Sequence, residues 1–379
     1  MDGRLSEEQA AVQASVRELA QSRVAPRAAE IDETATFPRD IVELFRAHDL
    51  FALPFPAAYG GLGGSALTLA VAIEEVARVC ATSSLLLAVQ ALGGYPILLA
   101  GSEAQRQRYL PDLASGARLA AYALSEPDAG SDPAGMRTRA VRDGEEYVLS
   151  GTKTWITNGG VADLLVVFAV TDPTQGSRGI SAFVVDGDSA GLTRNEIGDK
   201  MGIRGSSTAE LVFEGCRVPV ANRLGAEGSG FSTALAVLDR SRPGVAAQAL
   251  GIAQGALDYA VRYAGERQQF GRAIAEFQGI LFMLADMATQ VEAARALVYR
   301  AAAMIDAGAE GITSAAAMAK LFAGDTAMRV TTDAVQVLGG YGYIREFPVE
   351  RMMRDAKITQ IYEGTQQIQR VVIARQLLR

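Results

Sequence analysis

The periodicity of this chain changes twice, and each change limits what the flanking segments can fold into. From Ser6 to Ser115 apolar residues recur at helical spacing, as at Val12, Val16, Leu19 and Val24, and Ser6 with Gln9 has the form of a capping box. From about Arg118 the texture turns to short β-branched and aromatic runs at 147–149, 164–170, 180–185 and 210–213, separated by Gly, Asp and Pro. Beyond Gly228-Ser229-Gly230, long Ala-rich helical patterns return over 231–262, 277–307, 313–338 and 365–378. The expected fold is α+β and multidomain. A helical domain (1–117) precedes a central antiparallel β-barrel or sandwich (118–226), and a C-terminal four-helix bundle (227–379) follows. The mostly apolar faces of the last helices predict an oligomer, with a large monomeric bundle as the alternative.

Composition removes several function classes. Of 379 residues 49% are hydrophobic and 21% charged, the balance of a soluble globular protein. The opening Met1-Asp2-Gly3-Arg4 has neither the basic stretch and apolar core of a signal peptide nor an Arg-rich transit pattern. The longest apolar stretch, 85–100, is broken by Gln90, Gly93, Gly94 and Pro96. It reads as a buried helix and its turn, because a membrane span needs about 20 uninterrupted apolar residues. Cys80 and Cys216 stand far apart, which indicates neither a disulfide framework nor a metal site and fits a reducing cytoplasm. A net charge of −7 argues against general nucleic-acid binding. The sole histidine, His48, reads as a surface or capping residue, and no nucleophile elbow accompanies it. The glycine cluster at 59–64 lacks a preceding strand and an acidic partner, so it reads as a plain loop.

Four segments carry chemistry. Ile361-Tyr362-Glu363-Gly364-Thr365 puts one carboxylate beside glycine on a turn before the last helix. There a base and a backbone N–H can both approach a ligand, although alone the tetrapeptide reads as an ordinary cap. Tyr122 to Asp132 (Tyr-Ala-Leu-Ser-Glu-Pro-Asp-Ala-Gly-Ser-Asp) forms a loop of backbone donors and serine hydroxyls where helix gives way to strand. Trp155-Ile156-Thr157-Asn158-Gly159 holds the only Trp. A strand would place Trp155 and Thr157 on one face, as an aromatic wall and a hydroxyl donor for a flat heterocycle; in isolation such a Trp simply fills a core. Glu266 to Arg272 (Glu-Arg-Gln-Gln-Phe-Gly-Arg) ends a helix with an arginine and a glycine turn. That arrangement suits a pyrophosphate, or is a charged helix end.

In this order, these segments resemble the acyl-CoA dehydrogenase family over nearly the whole chain. The likeness extends through Lys200-Met201-Gly202-Ile203-Arg204-Gly205-Ser206-Ser207-Thr208, Leu238-Asp239-Arg240-Ser241-Arg242, Gln336-Val337-Leu338-Gly339-Gly340 and Arg354-Asp355-Ala356-Lys357. The short-chain branch is nearest, through 202–208 and 248–254. The resemblance implies FAD between the β-domain and the C-terminal bundle, and a homotetramer. Leu124 and Ser125 would meet the flavin pyrimidine edge, Trp155 the ring and Thr157 the region of N5. Arg267, Phe270, Gln336 and Gly340 would reach FAD from a neighbouring subunit, and Thr365 and Gln367 would contact its adenosine-pyrophosphate part. Glu363 would take the α-proton of an acyl thioester as the β-hydride passes to the flavin. Its N–H and a ribityl hydroxyl would polarise the thioester carbonyl. Ser131 would contact the pantetheine arm, Arg242 would fix the site around the base, and Asp239, Tyr362 and Gly364 would complete the substrate site.

Other branches of the family frame the specificity. Where some carry the base on the helix of Leu238 to Arg242, this chain has Ser241, which cannot serve. The segment 79–84 lacks the arginine of the decarboxylating branch, and Glu363 argues against the aspartate of nitroalkane-oxidising relatives. The expected activity is α,β-dehydrogenation of a short or branched acyl-CoA, with electrons passed to an electron-transfer flavoprotein in the cytoplasm. The alternatives are an acyl group on a carrier protein, an acyl-CoA oxidase, or a non-catalytic flavin or thioester binding module. The depth of the acyl pocket stays open in the sequence: Gly93 and Gly94 would deepen it, and Tyr95 would close it.

Overall fold

The computed structural model describes residues 5–378. Six helices come first: α1 (Glu7–Leu19), α2 (Ala28–Thr34), α3 (Arg39–Ala47), α4 (Ala66–Ala77), α5 (Ala81–Ala100) and α6 (Glu103–Ala114). The capping box forms: the Gln9 N–H donates to Ser6 Oγ (3.2 Å) and the Ser6 N–H to Gln9 Oε1 (3.0 Å). His48 follows α3, exposed, as its C-cap residue.

Helix α5 departs from expectation. It continues through Pro96 to Ala100, so no turn interrupts it; it is long and apolar enough to cross a bilayer but mostly buried inside the protein. Gly93 and Gly94 do not deepen a pocket. A Cβ on Gly93 would stand 2.5 Å from Ala120 Cβ, and one on Gly94 would stand 2.4 Å from the Phe55 ring. Their missing side chains let neighbouring elements close onto the helix.

The middle segment holds β1 (Ala120–Ala123), β2 (Arg139–Asp143), β3 (Glu146–Thr157), β4 (Leu164–Val170), β5 (Ile180–Asp186), β6 (Leu192–Glu196), β7 (Thr208–Pro219) and β8 (Arg223–Leu224). The strand order is β6-β7-β3-β2-β4-β5-β8, with β1 also beside β4. Among the described residues β6 and β8 do not pair, so the sheet is sandwich-like and not a closed barrel. Nor is it wholly antiparallel. β1 and β2 both run parallel to β4, with Ala123 opposite Val167 and Arg139 opposite Val170. They lie end to end along one edge, which makes residues 124–138 an excursion thrown out of a single interrupted strand.

Alternation along β4 and β5 serves two cores. Leu164, Val166, Phe168, Ile180 and Val184 join the large apolar core of the helices. Leu165, Val167, Ala169, Phe183 and Val185 join a second core inside the folded sheet, where the Tyr147 and Phe183 rings meet at 4.9 Å. Strands buried on both faces read as unbroken apolar runs, which explains the sequence at 164–170.

The chain closes with α7 (Gly230–Glu266), a small hairpin of β9 (Gln268–Gln269) and β10 (Arg272–Ala273), α8 (Gln278–Asp306), α9 (Ile312–Leu338), α10 (Pro348–Ile358) and α11 (Gln366–Leu377). Helices α7, α8, α9 and α11 form the bundle, and α10 lies against α7 and α9. Buried charges close the seams. Glu74 on α4 accepts from Arg295 (3.0 Å) and the Tyr299 hydroxyl (2.7 Å) on α8, and Glu75 accepts from Arg17 on α1 (2.6 Å). On α10, Arg354 reaches Asp32 (2.6 Å) and the Met201 carbonyl (3.0 Å), while Asp355 accepts the Ile203 N–H at 2.5 Å.

Burial pushes the Asp355 carboxyl up to about 6. Its folded pKa thus lies above that of an aspartate in the unfolded chain, about 3.9. The stabilisation this confers is present below the unfolded value and is lost as pH rises through about 6, to the extent of roughly 3 kcal/mol. Asp355→Asn keeps an acceptor for the Ile203 N–H and is expected to remove that decline. Denaturant unfolding across this pH window should show wild type losing more stability than the variant.

Candidate active site

Helix α10 ends at Ile358, and the chain turns through Thr359 to Thr365 before α11 begins. Thr365 caps α11, accepting the Ile368 N–H at 3.3 Å. Within the turn Glu363 (φ +50°) and Gly364 (φ +93°) both lie in the left-handed region, which is costly for a non-glycine residue and persists only where surroundings impose it. Two buried side chains impose it here. Lys320 Nζ on α9 donates to the Gly364 carbonyl at 2.7 Å. Gln369 Nε2 on α11 donates to the same carbonyl (2.9 Å) and to that of Glu363 (3.2 Å). Among the described residues the Glu363 N–H donates to no protein acceptor.

The Glu363 side chain points to α7, where the Ser241 hydroxyl donates to Oε2 at 2.6 Å. Burial raises the Glu363 pKa above the usual glutamate value; the Ser241 hydrogen bond and the charges of Arg242 and Lys320 oppose it without cancelling it. Arg242 is itself buried. It donates to Asp239 (2.7 Å), which also accepts from Thr313 (2.5 Å), and its Nε has no partner among the described residues. Next to Glu363, the Tyr362 hydroxyl bonds Gln248, whose amide donates to the Ala81 carbonyl (3.0 Å) and Ser84 Oγ (3.2 Å) on α5. Tyr95 is buried and lies within the electrostatic reach of Glu363.

The excursion at 124–138 is drawn shut at its base by Glu126, which accepts the N–H groups of Arg137 (2.6 Å) and Thr138 (3.0 Å). Lys153 on β3, wholly buried, donates to Glu126 (2.8 Å) and to the Leu124 carbonyl (3.0 Å). Burial lowers Lys153 to about 8. Burial opposes ionisation of Glu126 as well, but Lys153 and the hydrogen-bond donors outweigh it and hold this carboxyl below its usual range. Leu124 is buried and Ser125 half-buried near the neck of the loop, and Ser131 stands exposed on it. Strand β3 is not regular beside it. A bulge between Lys153 and Ile156 sets Trp155 at φ +61°, with the indole residue 65% exposed and Thr157 half-buried.

A second neighbourhood forms where α7 meets the end of α9. Arg267, Gln269, Gly339, Gly340, Tyr341 and Ile344 line a cavity of about 470 Å³ that contains neither Trp155 nor Glu363. Arg267 forms no ion pair among the described residues and lies over the Tyr341 ring (5.2 Å), while open space surrounds Gly339 and Gly340. Phe270 is 93% exposed at the hairpin tip. Gln336 and Gln367 are exposed, and Thr365 is half-buried.

Comparison with known proteins matches three family models in sequence order. These are the N-terminal domain of acyl-CoA dehydrogenase over residues 6–117, its middle domain over 121–216 and its C-terminal domain over 228–378. The chain belongs to the acyl-CoA dehydrogenase family. It is 49% identical over 380 residues to a short-chain specific acyl-CoA dehydrogenase of Clostridium acetobutylicum, covering all of both chains. The butyryl-CoA dehydrogenase structure from Megasphaera elsdenii superposes with a TM-score of 0.97 at 44% identity, again over all of both chains. A chain from a structure of the electron transferring flavoprotein of Acidaminococcus fermentans superposes with a TM-score of 0.98 at 48% identity, with the same full coverage. Acyl-CoA dehydrogenases are FAD flavoproteins, and a solved relative holds FADH2; FAD is the cofactor of this fold.

Within this acyl-CoA dehydrogenase chain, Glu363, Ser241, Arg242, Asp239 and Tyr362 converge on one place. Arg267, Phe270 and Gly340 gather elsewhere. Sequence reasoning passed over Lys320, Gln369 and Lys153, and took Gln248 only as part of the 248–254 run. Lys320 left one trace, as the only charge in the run Ala315 to Ala323; the partners of Lys153 and Gln248 lie far away in the chain, whereas Gln369 holds carbonyls only five and six positions back. Ser241→Ala removes the hydrogen bond that favours ionised Glu363. The acid limb of the kcat/KM–pH profile is expected to move to higher pH, with the alkaline plateau reduced far less.

Proposed function

We propose that this protein dehydrogenates a short or branched-chain acyl-CoA to the 2-enoyl-CoA, with Glu363 as the base. The observation that carries this reading is the Glu363 turn itself. A half-buried carboxylate, its pKa raised by burial, and an unengaged backbone N–H sit on one residue that two buried side chains hold in the left-handed region. A carboxylate so placed takes the α-proton, and the N–H beside it donates to the thioester oxygen as negative charge gathers there. FAD held there would supply the acceptor for the β-hydrogen and its electron pair, balancing the α-proton taken by Glu363 as the Cα–Cβ double bond forms. Arg242, with its unpartnered Nε, holds the site's charge balance, and Asp239 fixes Arg242.

The protein's surface fits FAD. The open Trp155 with Thr157, and Leu124 and Ser125 on the tied loop, suit the isoalloxazine. Arg267, Phe270, Gln336 and Gly340, around and beside the cavity free of carboxylates, suit the pyrophosphate and adenosine of a neighbouring subunit's FAD, with Thr365 and Gln367 nearby in the same role. Ser131 on the loop suits the pantetheine arm, and Tyr362 and Gly364 suit the acyl end. Exposed Phe270, Tyr343, Phe282 and Phe322 support a homotetramer. The butyryl-CoA and short-chain specific relatives support a short acyl chain, and the electron transferring flavoprotein named with another relative supports that electron acceptor. Two buried free cysteines, Cys80 and Cys216, fit the cytoplasm.

Anaerobic bleaching of the bound flavin by acyl-CoAs from acetyl to long and branched chains tests the reading. A short or branched ester should bleach it rapidly, and Glu363→Gln should slow that bleaching by about 10²–10⁴-fold. Bleaching unchanged in Glu363→Gln would remove Glu363 from the chemistry. Failure of every CoA ester would point to an acyl group on a carrier protein.

A further inference from the structure

We propose that Lys320 is a positioning residue for the base. Its buried ammonium pins the Glu363–Gly364 turn through the Gly364 carbonyl and supplies positive charge behind the Glu363 carboxylate. The inference rests on the reading of Glu363 as the base.

Lys320 is 1% exposed on α9, among buried Ala316, Ala317, Ala319 and Ala323. Removing an ammonium from water costs several kcal/mol unless charge and hydrogen bonds replace the lost hydration. A salt bridge is the usual replacement, yet among the described residues Lys320 forms none. Its partners are neutral oxygens, the Gly364 carbonyl at 2.7 Å and Gln366 Oε1 at 3.2 Å. The Gln366 amide cannot turn away, because its Nε2 is committed to the Leu321 carbonyl (2.7 Å) and Asp325 Oδ1 (3.0 Å).

The positive charge therefore remains unneutralised by direct contact. The ionisable groups that act on it are Glu363 first, then Arg242 and Asp325, and burial lowers Lys320 to about 8. In turn, Ser241, Arg242 and Lys320 are what hold the Glu363 pKa down against burial. A merely structural plug at this point would not need a charge. Gln369 already donates to the Gly364 carbonyl, and a neutral side chain could fill the space.

The test compares Lys320→Met, Lys320→Gln and Lys320→Arg in the FAD-loaded enzyme, with Glu363→Gln alongside. Flavin content and the kcat/KM–pH profile are read with the acyl-CoA that bleaches wild type. Both neutral variants should keep FAD and shift the acid limb to higher pH. The loss should be about tenfold or more at the acid end and should shrink as pH rises. Lys320→Arg should leave the limb where wild type has it. A loss uniform across pH, no loss, an arginine variant that behaves like methionine, or FAD missing from both neutral variants would each overturn the proposal. Full activity in Glu363→Gln would instead overturn the reading of the base, whatever the lysine variants do.

Discussion

A charge taken out of water must be met by partners in a definite geometry, and that requirement fixes how the layers of this fold meet. Apolar contact is permissive, since a packed helix can slide or rotate and still bury its stripe. A buried carboxylate or ammonium cannot, because losing its partners leaves an uncompensated charge costing roughly 3–5 kcal/mol. Such groups stand at each junction. Glu74 and Glu75 on α4 face Arg295 and Arg17, Lys153 crosses from β3 to Glu126, and Asp355 on α10 takes the Ile203 N–H. The site is assembled from pieces on different layers, so its precision depends on these junctions more than on the volume of either core.

Backbone strain falls partly on segments that carry chemistry. Of the eight non-glycine residues with left-handed φ among the described residues, Trp155, Asn158, Phe270 and Glu363 lie inside motifs that read as chemistry from sequence, while Ala35, Asp49, Asp199 and Ile203 do not. At Trp155 the bulge turns the indole outward instead of into the sheet's core. At Glu363 the left-handed backbone accompanies an N–H left free of protein acceptors while both carbonyls of the Glu363–Gly364 pair are held. A relaxed helical backbone would commit that N–H to an internal bond. At Glu363 the strain is offset by Lys320 and Gln369, which hold the backbone carbonyls of the turn.

What could be read from sequence follows from the range of each signal. Helical periodicity, the Ser6–Gln9 box and the apolar runs at 164–170 and 180–185 are local, and they lie where expected. The Glu363 turn was legible because glycine beside a carboxylate is a local signature. Sheet closure and strand direction were not legible. The collinearity of β1 and β2 depends on their shared partner β4, which lies beyond an intervening hairpin. Gly93 and Gly94 left the pocket depth open for a related reason. A missing side chain leaves room either for a ligand or for a neighbouring backbone, and only the fold shows that Ala120 and Phe55 occupy it.

The contact between Ser241 and Glu363 bears on where a base can sit in this architecture. The two residues are 122 positions apart, yet Ser241 Oγ lies 2.6 Å from Glu363 Oε2, so α7 and the α10–α11 turn address one point from opposite sides. A carboxylate at both positions would place two like charges in contact within a site where burial already raises the Glu363 pKa, and one would stay protonated. A hydroxyl at 241 avoids that conflict and donates to the ionised form. Moving the carboxylate from the turn to position 241 would therefore need no new pocket, only an exchange of which side supplies it. In this chain the hydroxyl donor belongs to α7 and the carboxylate to the turn, and it is the turn that Lys320 and Gln369 hold in place from behind.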